Sequence, residues 1–436
     1  MSPLSQVDGA AGCPSTRSRR GADFGIGPQP FRDLPQATAP GHNPHVGSGQ
    51  SACGYLAGGL GQGNGGVCPC LGSQRGSDLG IRLPSVWTRT YRAAMQGDES
   101  EAVWEALRAT RSNPPGAASE RGRRRRTYVS ALEQAEQLFR SATAVGPATR
   151  PLILFYGLSQ AGRAIAAAAQ NAPGDAWRLE GHGISARNEY GPMPEVGLVT
   201  DRADNKGSFT RLSQILGSAV WEKNPVTLNK LWDMIPENAE SPLRDAGTDR
   251  RVPLQVEYRN LEDGEPNGLL KVPAYRFPDW LIAAEKPAQA LATYLHDYPG
   301  ARGVRFECTT FGGSVPAYTR HKGGGGEIEL VWEFPADLPD DAEHRLGHLA
   351  SATRVSRRGW YLFPQVAGAQ QTMHPIMAWW AVLHALSVLV RYQPAEWAQH
   401  IDVDSSTFAV PIEKLLKNAV QIVPELALQA IKEVTR

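Results

Sequence analysis

Apolar residues recur at helical spacing in two well-separated parts of the chain. From Leu83, the side chains Trp87, Tyr91 and Met95 step four residues apart, and Trp104 and Leu107 resume the pattern after a polar break. A helix is predicted over about 128–142, where Leu132, Ala135, Leu138 and Phe139 form one stripe. Another starts at residue 148 or 150 and runs to about 169, PLILFYGLSQAGRAIAAAA. It is apolar nearly all round, which predicts a central position. Its glycines and alanines allow a neighbouring helix to come close. Helical patterning returns at 374–392, and again at 411–423 and 424–434 with a proline at each expected start.

Between these parts the character changes. Residues 182–245 mix loops with brief helical pieces such as 226–234. From Val252 the alternation is strand-like: PLQVEYR, then 304–311 and 327–334, the last two read as a hairpin or as adjacent strands with the glycine-rich connection 323–326 before the second. A helix is predicted over 280–294. The expected fold class is α+β: a mainly helical core formed by both ends of the chain (83–170 and 374–434), with a small antiparallel β insert in the mixed region 182–372.

The first 76 residues read differently. Glycine takes 18 of the first 80 positions, Pro and Ser are frequent, and no apolar period appears. Such a stretch buries too little surface to offset its ordering entropy. The expectation is a disordered tail over 1–76 and one domain over 77–436. The apolar stretch IMAWWAVLHALSVLV at 376–390 is shorter than the roughly 20 residues a bilayer needs and contains His384. It is read as a buried core helix, with no membrane partner expected.

Lys and Arg number 45 against 44 Asp and Glu, a balance with no long-range pull toward nucleic acid or anionic membrane. Four of the five cysteines (Cys13, Cys53, Cys68 and Cys70) fall in the first 70 residues, leaving only Cys308 beyond them. No disulfide framework supports the fold, which fits a reducing compartment and a cytoplasmic location. Cys68 and Cys70 flank a single proline, short of the usual zinc spacing, and His344 and His348 stand four apart with no third ligand evident. No metal and no cofactor is expected. The chain has no dinucleotide or P-loop glycine motif, no zinc-protease His-Glu pair and no serine-hydrolase elbow.

The candidate chemistry lies where polar residues interrupt apolar helices. Tyr156, Ser159 or Gln160, and Arg163 share one helical face; His384, Ser387 and Arg391 share another. A buried guanidinium must meet a negative group. In one reading Arg163 and Arg391 line a cleft that grips phosphate or carboxylate, and His384 moves protons there. In the other they are internal ion pairs, Arg391 with Glu396 or Asp402 and Arg163 with Glu180 or Glu189. His182 between two glycines, followed by Arg187, suggests a turn that presents an imidazole. The arginines at 123–126 can hold a phosphate backbone or simply start a solvated helix. The ligand candidates are therefore Arg163, His182, Arg187, His384, Ser387 and Arg391, with no catalytic residue assigned.

RPLILFYGLSQAGRAIAAAA followed by GHGISAR, and HPIMAWWAVLHALSVLVRYQPAEW near the C-terminus, resemble the signature of the bacterial YaaC-like proteins over about 83–434. The resemblance implies a domain extent and a cytoplasmic setting, and carries no established activity with it. The long N-terminus and the 323–326 glycines depart from the family pattern. A looser likeness is to the HEPN helical bundles, several of which cleave RNA through an R-x4-6-H motif. Here eight residues separate Arg391 from His400 and Pro394 interrupts them, so the motif is not met. Three functions follow as expectations: a binding or regulatory module with an Arg-lined cleft for a phosphorylated ligand or RNA, a metal-independent RNase or phosphodiesterase using the same cleft, and an interaction scaffold with purely structural ion pairs.

Overall fold

The computed structural model describes residues 99–436 apart from 245–246, 258–267, 310–312, 322–324, 340, 358 and 370. The expected tail, the helical steps at 83–95, every cysteine but Cys308 and residues 323–324 of the 323–326 connection lie outside the described residues. Eleven helices are described: α1 (Glu99–Ser112), α2 (Arg123–Thr143), α3 (Arg150–Ala168), α4 (Ser208–Ile215), α5 (Leu228–Asp233), α6 (Trp280–Ala283), α7 (Pro287–His296), α8 (Ala342–Ala352), α9 (Pro375–Tyr392), α10 (Pro394–His400) and α11 (Ala409–Val434). The strands are β1 (Ile184–Arg187), β2 (Gly197–Thr200), β3 (Val226–Thr227), β4 (Leu254–Val256), β5 (Leu269–Phe277), β6 (Arg305–Phe306), β7 (Tyr318–Arg320), β8 (Gly326–Glu333), β9 (Arg354–Ser356) and β10 (Gly359–Leu362). The class is α+β, and the paired strands are antiparallel.

Helix α3 packs against α2, α9 and α11, so helices from both ends of the described chain meet. Its two central glycines explain how closely. A Cβ on Gly157 would stand 2.9 Å from the Phe139 ring of α2, and one on Gly162 would stand 2.5 Å from Cζ3 of Trp380 in α9. At the far end Arg124, in the first turn of α2, donates to the carbonyls of Ala166, Ala167, Ala169 and Ala172. It thereby satisfies acceptors that the end of α3 leaves open. Arg125 likewise donates to Ser112 and Ser119 carbonyls. The middle of the arginine run is thus committed to the backbone.

Helix α9 is the one described helix long and apolar enough to cross a membrane, and 89% of its apolar window is buried inside the fold. His374 caps it by accepting from the Ile376 amide.

Three expectations change. The prolines at 411 and 424 do not open two helices: α11 runs unbroken with Pro424 inside it. An interior proline costs about 3 kcal/mol. Burial of Ile422, Val423, Leu426 and Ala427 around it offsets that loss. The single helix expected over 280–294 is two, separated where Pro287 opens α7. And the β region is more than a small insert. Strands β6-β8-β5-β4-β10-β9 form one sheet, with β7 also on β8, and this sheet owns a second apolar core that includes Leu254, Val272, Phe277, Leu330 and Tyr294. Its longest strand, β5, contains Pro273 opposite Glu329. The glycine-rich connection joins β7 to β8, while β6 meets β8 further along, Arg305 opposite Val331. A separate three-stranded sheet, β1-β2-β3, belongs to the helical core.

Candidate functional site

Helix α3 places Phe155, Tyr156, Ser159 and Arg163 on successive turns, and α9 places Trp380, His384 and Arg391. The third contributor is the turn before β1. Gly181 and Gly183 hold φ of 58° and 72°, values that suit glycine. The Ser208 hydroxyl donates to the Gly181 carbonyl at 2.6 Å, the Phe209 amide to His182 at 2.9 Å and the Asp201 amide to Gly183 at 3.0 Å. A Cβ on Gly183 would lie 2.7 Å from the Gly207 carbonyl carbon. The backbone of the turn is pinned, and the His182 ring projects from it.

The buried Phe155 ring gathers these elements. Its centroid is 5.1 Å from His384, edge-on, 5.8 Å from His182 and 6.2 Å from Trp380 at 89°. The two imidazoles stand 5.6 Å apart, His182 exposed and His384 only 3% exposed. Among the described residues neither ring nitrogen of His384 has a hydrogen-bond partner.

Both guanidinium groups are half-buried. Arg163 Nη1 donates to the Ser159 hydroxyl at 2.8 Å and carbonyl at 3.2 Å. Arg391 Nε donates to the Ser387 carbonyl at 3.3 Å, and its guanidinium lies 5.1 Å over the Tyr392 ring. Among the described residues neither forms an ion pair. The alternative of internal pairs with Glu180, Glu189, Glu396 or Asp402 is therefore not the arrangement found. Asp402 is occupied by the Ser405 hydroxyl and the Asp404 amide.

The electrostatics follow from burial and like charge. Desolvation pushes the His384 imidazole down to about 3, with His182 and Arg391 adding to the effect. His182 is lowered by burial and by both Arg391 and Arg163, which places it in the field of the two guanidiniums. Burial also lowers Arg163. Two cations and two neutral imidazoles thus gather here, and among the described residues no carboxylate pairs with either cation.

Four of the six sequence candidates come together: Arg163, His182, His384 and Arg391. Ser387 does not join as a free group. It is fully buried, and its hydroxyl donates to the His384 carbonyl at 2.8 Å. Arg187, at the end of β1, is exposed and makes no side-chain bond among the described residues. Phe155 went unremarked in the sequence, although Phe155, Ser159 and Arg163 step four apart, a spacing that carries the signal. Cavities of about 420 and 120 Å³ lie away from the cluster, one beside Trp332 and His348, the other beside Arg150 and Leu416. The His344 and His348 pair holds no metal-like cluster among the described residues; His344 binds Asp341, and His348 packs on Phe334.

The fold and this cluster define an α+β protein with a histidine- and arginine-lined surface site built by elements distant in sequence. The chain belongs to the YaaC-like protein family, whose model matches residues 100–431. No curated protein and no solved structure matches it.

Proposed function

We propose that this chain is a cytoplasmic binding or regulatory module whose site holds a phosphate-bearing anion between Arg163 and Arg391, above His182 and His384. The helical layer from both chain ends is the working part in this reading, and the sheet supports it. One observation carries it: two half-buried guanidiniums form no ion pair among the described residues, both act on His182, and His182 stands 5.6 Å from a buried imidazole with two unpartnered nitrogens. A buried polar group without a partner costs about 1–3 kcal/mol, and uncompensated cations cost more. An arriving phosphate relieves both, since guanidinium offers a planar fork for its oxygens. The scarcity of cysteine beyond the first 70 residues supports the reducing location.

The test is thermal unfolding with inorganic phosphate, pyrophosphate and nucleotides at low salt. Stabilisation of the wild type, lost in Arg163→Ala and Arg391→Ala, supports the reading. No shift with any anion overturns it.

A second reading rests on the two imidazoles 5.6 Å apart. His182, the exposed ring of the pair, suits cleavage of a phosphodiester by accepting the proton of a ribose 2′-hydroxyl, with the two guanidiniums holding the charge and water protonating the leaving 5′-oxygen. Chelator-resistant cleavage of single-stranded RNA, lost in His182→Ala, would favour it over binding alone.

A further inference from the structure

Exposed aromatic side chains lie on the segments that carry the proposed anion site. Among the described residues six large apolar side chains are exposed: three are valines, and the three tyrosines, Tyr156, Tyr190 and Tyr392, all belong to this neighbourhood. Tyr156 has its ring 5.7 Å from Phe155, which touches both imidazoles. Tyr392 lies beneath the Arg391 guanidinium. Tyr190 follows Glu189, whose carbonyl accepts a hydrogen bond from Gln393, the residue after Tyr392. That bond ties the loop after β1 to the end of α9 and brings the two tyrosines into one locality. Tyr190 is 83% exposed.

A bare phosphate or a carboxylate metabolite would use the arginines and leave these rings idle. A ligand joining a phosphate to a flat π-system would use both, because bases stack on tyrosine faces and on guanidinium planes while the charge is neutralised beside them. Resting on the anion-site reading, we infer that the ligand is a nucleotide, its phosphate on Arg163 and Arg391 and its base against the exposed tyrosines. The order of parts agrees with this. Arg163 and Arg391 are half-buried and His384 is buried, whereas the three tyrosines are exposed, so a base against them can remain part-solvated. The chemistry is common to a free nucleotide and to one unit of an RNA strand.

Calorimetric titration of the full chain at low salt compares four probes: inorganic phosphate, ribose 5-phosphate, adenosine 5′-monophosphate and a six-nucleotide single-stranded RNA. Stacking predicts that the adenosine monophosphate binds roughly tenfold or more tightly than ribose 5-phosphate. Tyr190→Ala and Tyr392→Ala, both at exposed positions that tolerate truncation, bring that ratio toward one. Tighter binding of the oligonucleotide assigns an RNA strand as the source of the nucleotide, and equal affinity assigns the free nucleotide. If the sugar phosphate and the nucleotide bind equally, the base-stacking inference fails and the anion site stands. If none of the four binds, both fail together.

Discussion

An imidazole with both nitrogens unpartnered inside a protein holds its place only where neighbours fix it, and His384 packs against the rings of Phe155 and His182. The groups in its electrostatic range are His182 from the 181–183 turn and Arg391 on its own helix; α3 faces it with Phe155, which carries no charge. Its folded-state value near 3 lies below the ordinary 6.5, so the fold favours the neutral ring. The associated stability is present above about pH 6.5 and is lost as pH falls toward 3, by up to roughly 1.4 kcal/mol per pH unit. His384→Phe keeps an aromatic disc and removes the titration. Urea midpoints measured from pH 7 to pH 4.5 should fall less steeply in the variant than in the wild type, and parallel slopes would refute the assignment. His384 and Arg391 are legible in the sequence because each breaks an apolar run. Ser387 misleads: at about 100° per residue it stands some 60° round the helix from His384, whereas Arg391 returns to within about 20°. His182 comes from a distant turn, and no periodicity could place it between them.

At the scale of elements, the approach of α3 to α9 sets the geometry of the cluster, and Gly162 sets the approach. Alanine is the better helix former by about 1 kcal/mol. Here its methyl would enter the space of Trp380 at 2.5 Å and of Leu212 at 3.0 Å. Overpacking of this kind costs roughly 1–3 kcal/mol, so Gly162→Ala should destabilise the chain in urea. Gly146→Ala, with open space around it, should stay within about 0.5 kcal/mol. A stabilised Gly162→Ala would mean that the helices are not in contact there. The helical periods predict α3 and α9 to within two residues of their observed bounds, whereas α2 starts five residues before the expected 128. Proline is where reading by element fails, in both directions. Pro273 conceals β5, since a proline within an alternating run argues against a strand, and Pro424 suggests a helix start that tertiary burial overrides.

The whole molecule has two apolar cores. The sheet encloses one of them with α6, α7 and α8. The other draws on α1 to α3 at one end of the described chain and α9 to α11 at the other. Helix α11 buries Ile412, Leu415, Leu416, Ile422, Val423, Leu426 and Ile431. At roughly 1.5–3 kcal/mol each, these together contribute about 10–21 kcal/mol, as much as the 5–15 kcal/mol by which a typical domain is stable. Deleting residues 409–436 should abolish the cooperative melting of the helical core in calorimetry, and a retained sharp transition would contradict this account. The α+β class was readable from the change in periodicity along the chain. The size of the sheet was not, because strands of two to four residues such as β6, β7 and β9 leave almost no alternation to detect.

The joining of distant chain segments around α3 also bears on how the protein is made. While translation proceeds through the sheet, α3 has left the ribosome with α2 to lie against but without α9 and α11, so part of its oily surface stays uncovered while residues 375–392 are still being synthesised. For that interval the nascent chain is a client for chaperones. A premature stop anywhere upstream of α9 would release a product whose partly uncovered α3 marks it for aggregation or proteolysis.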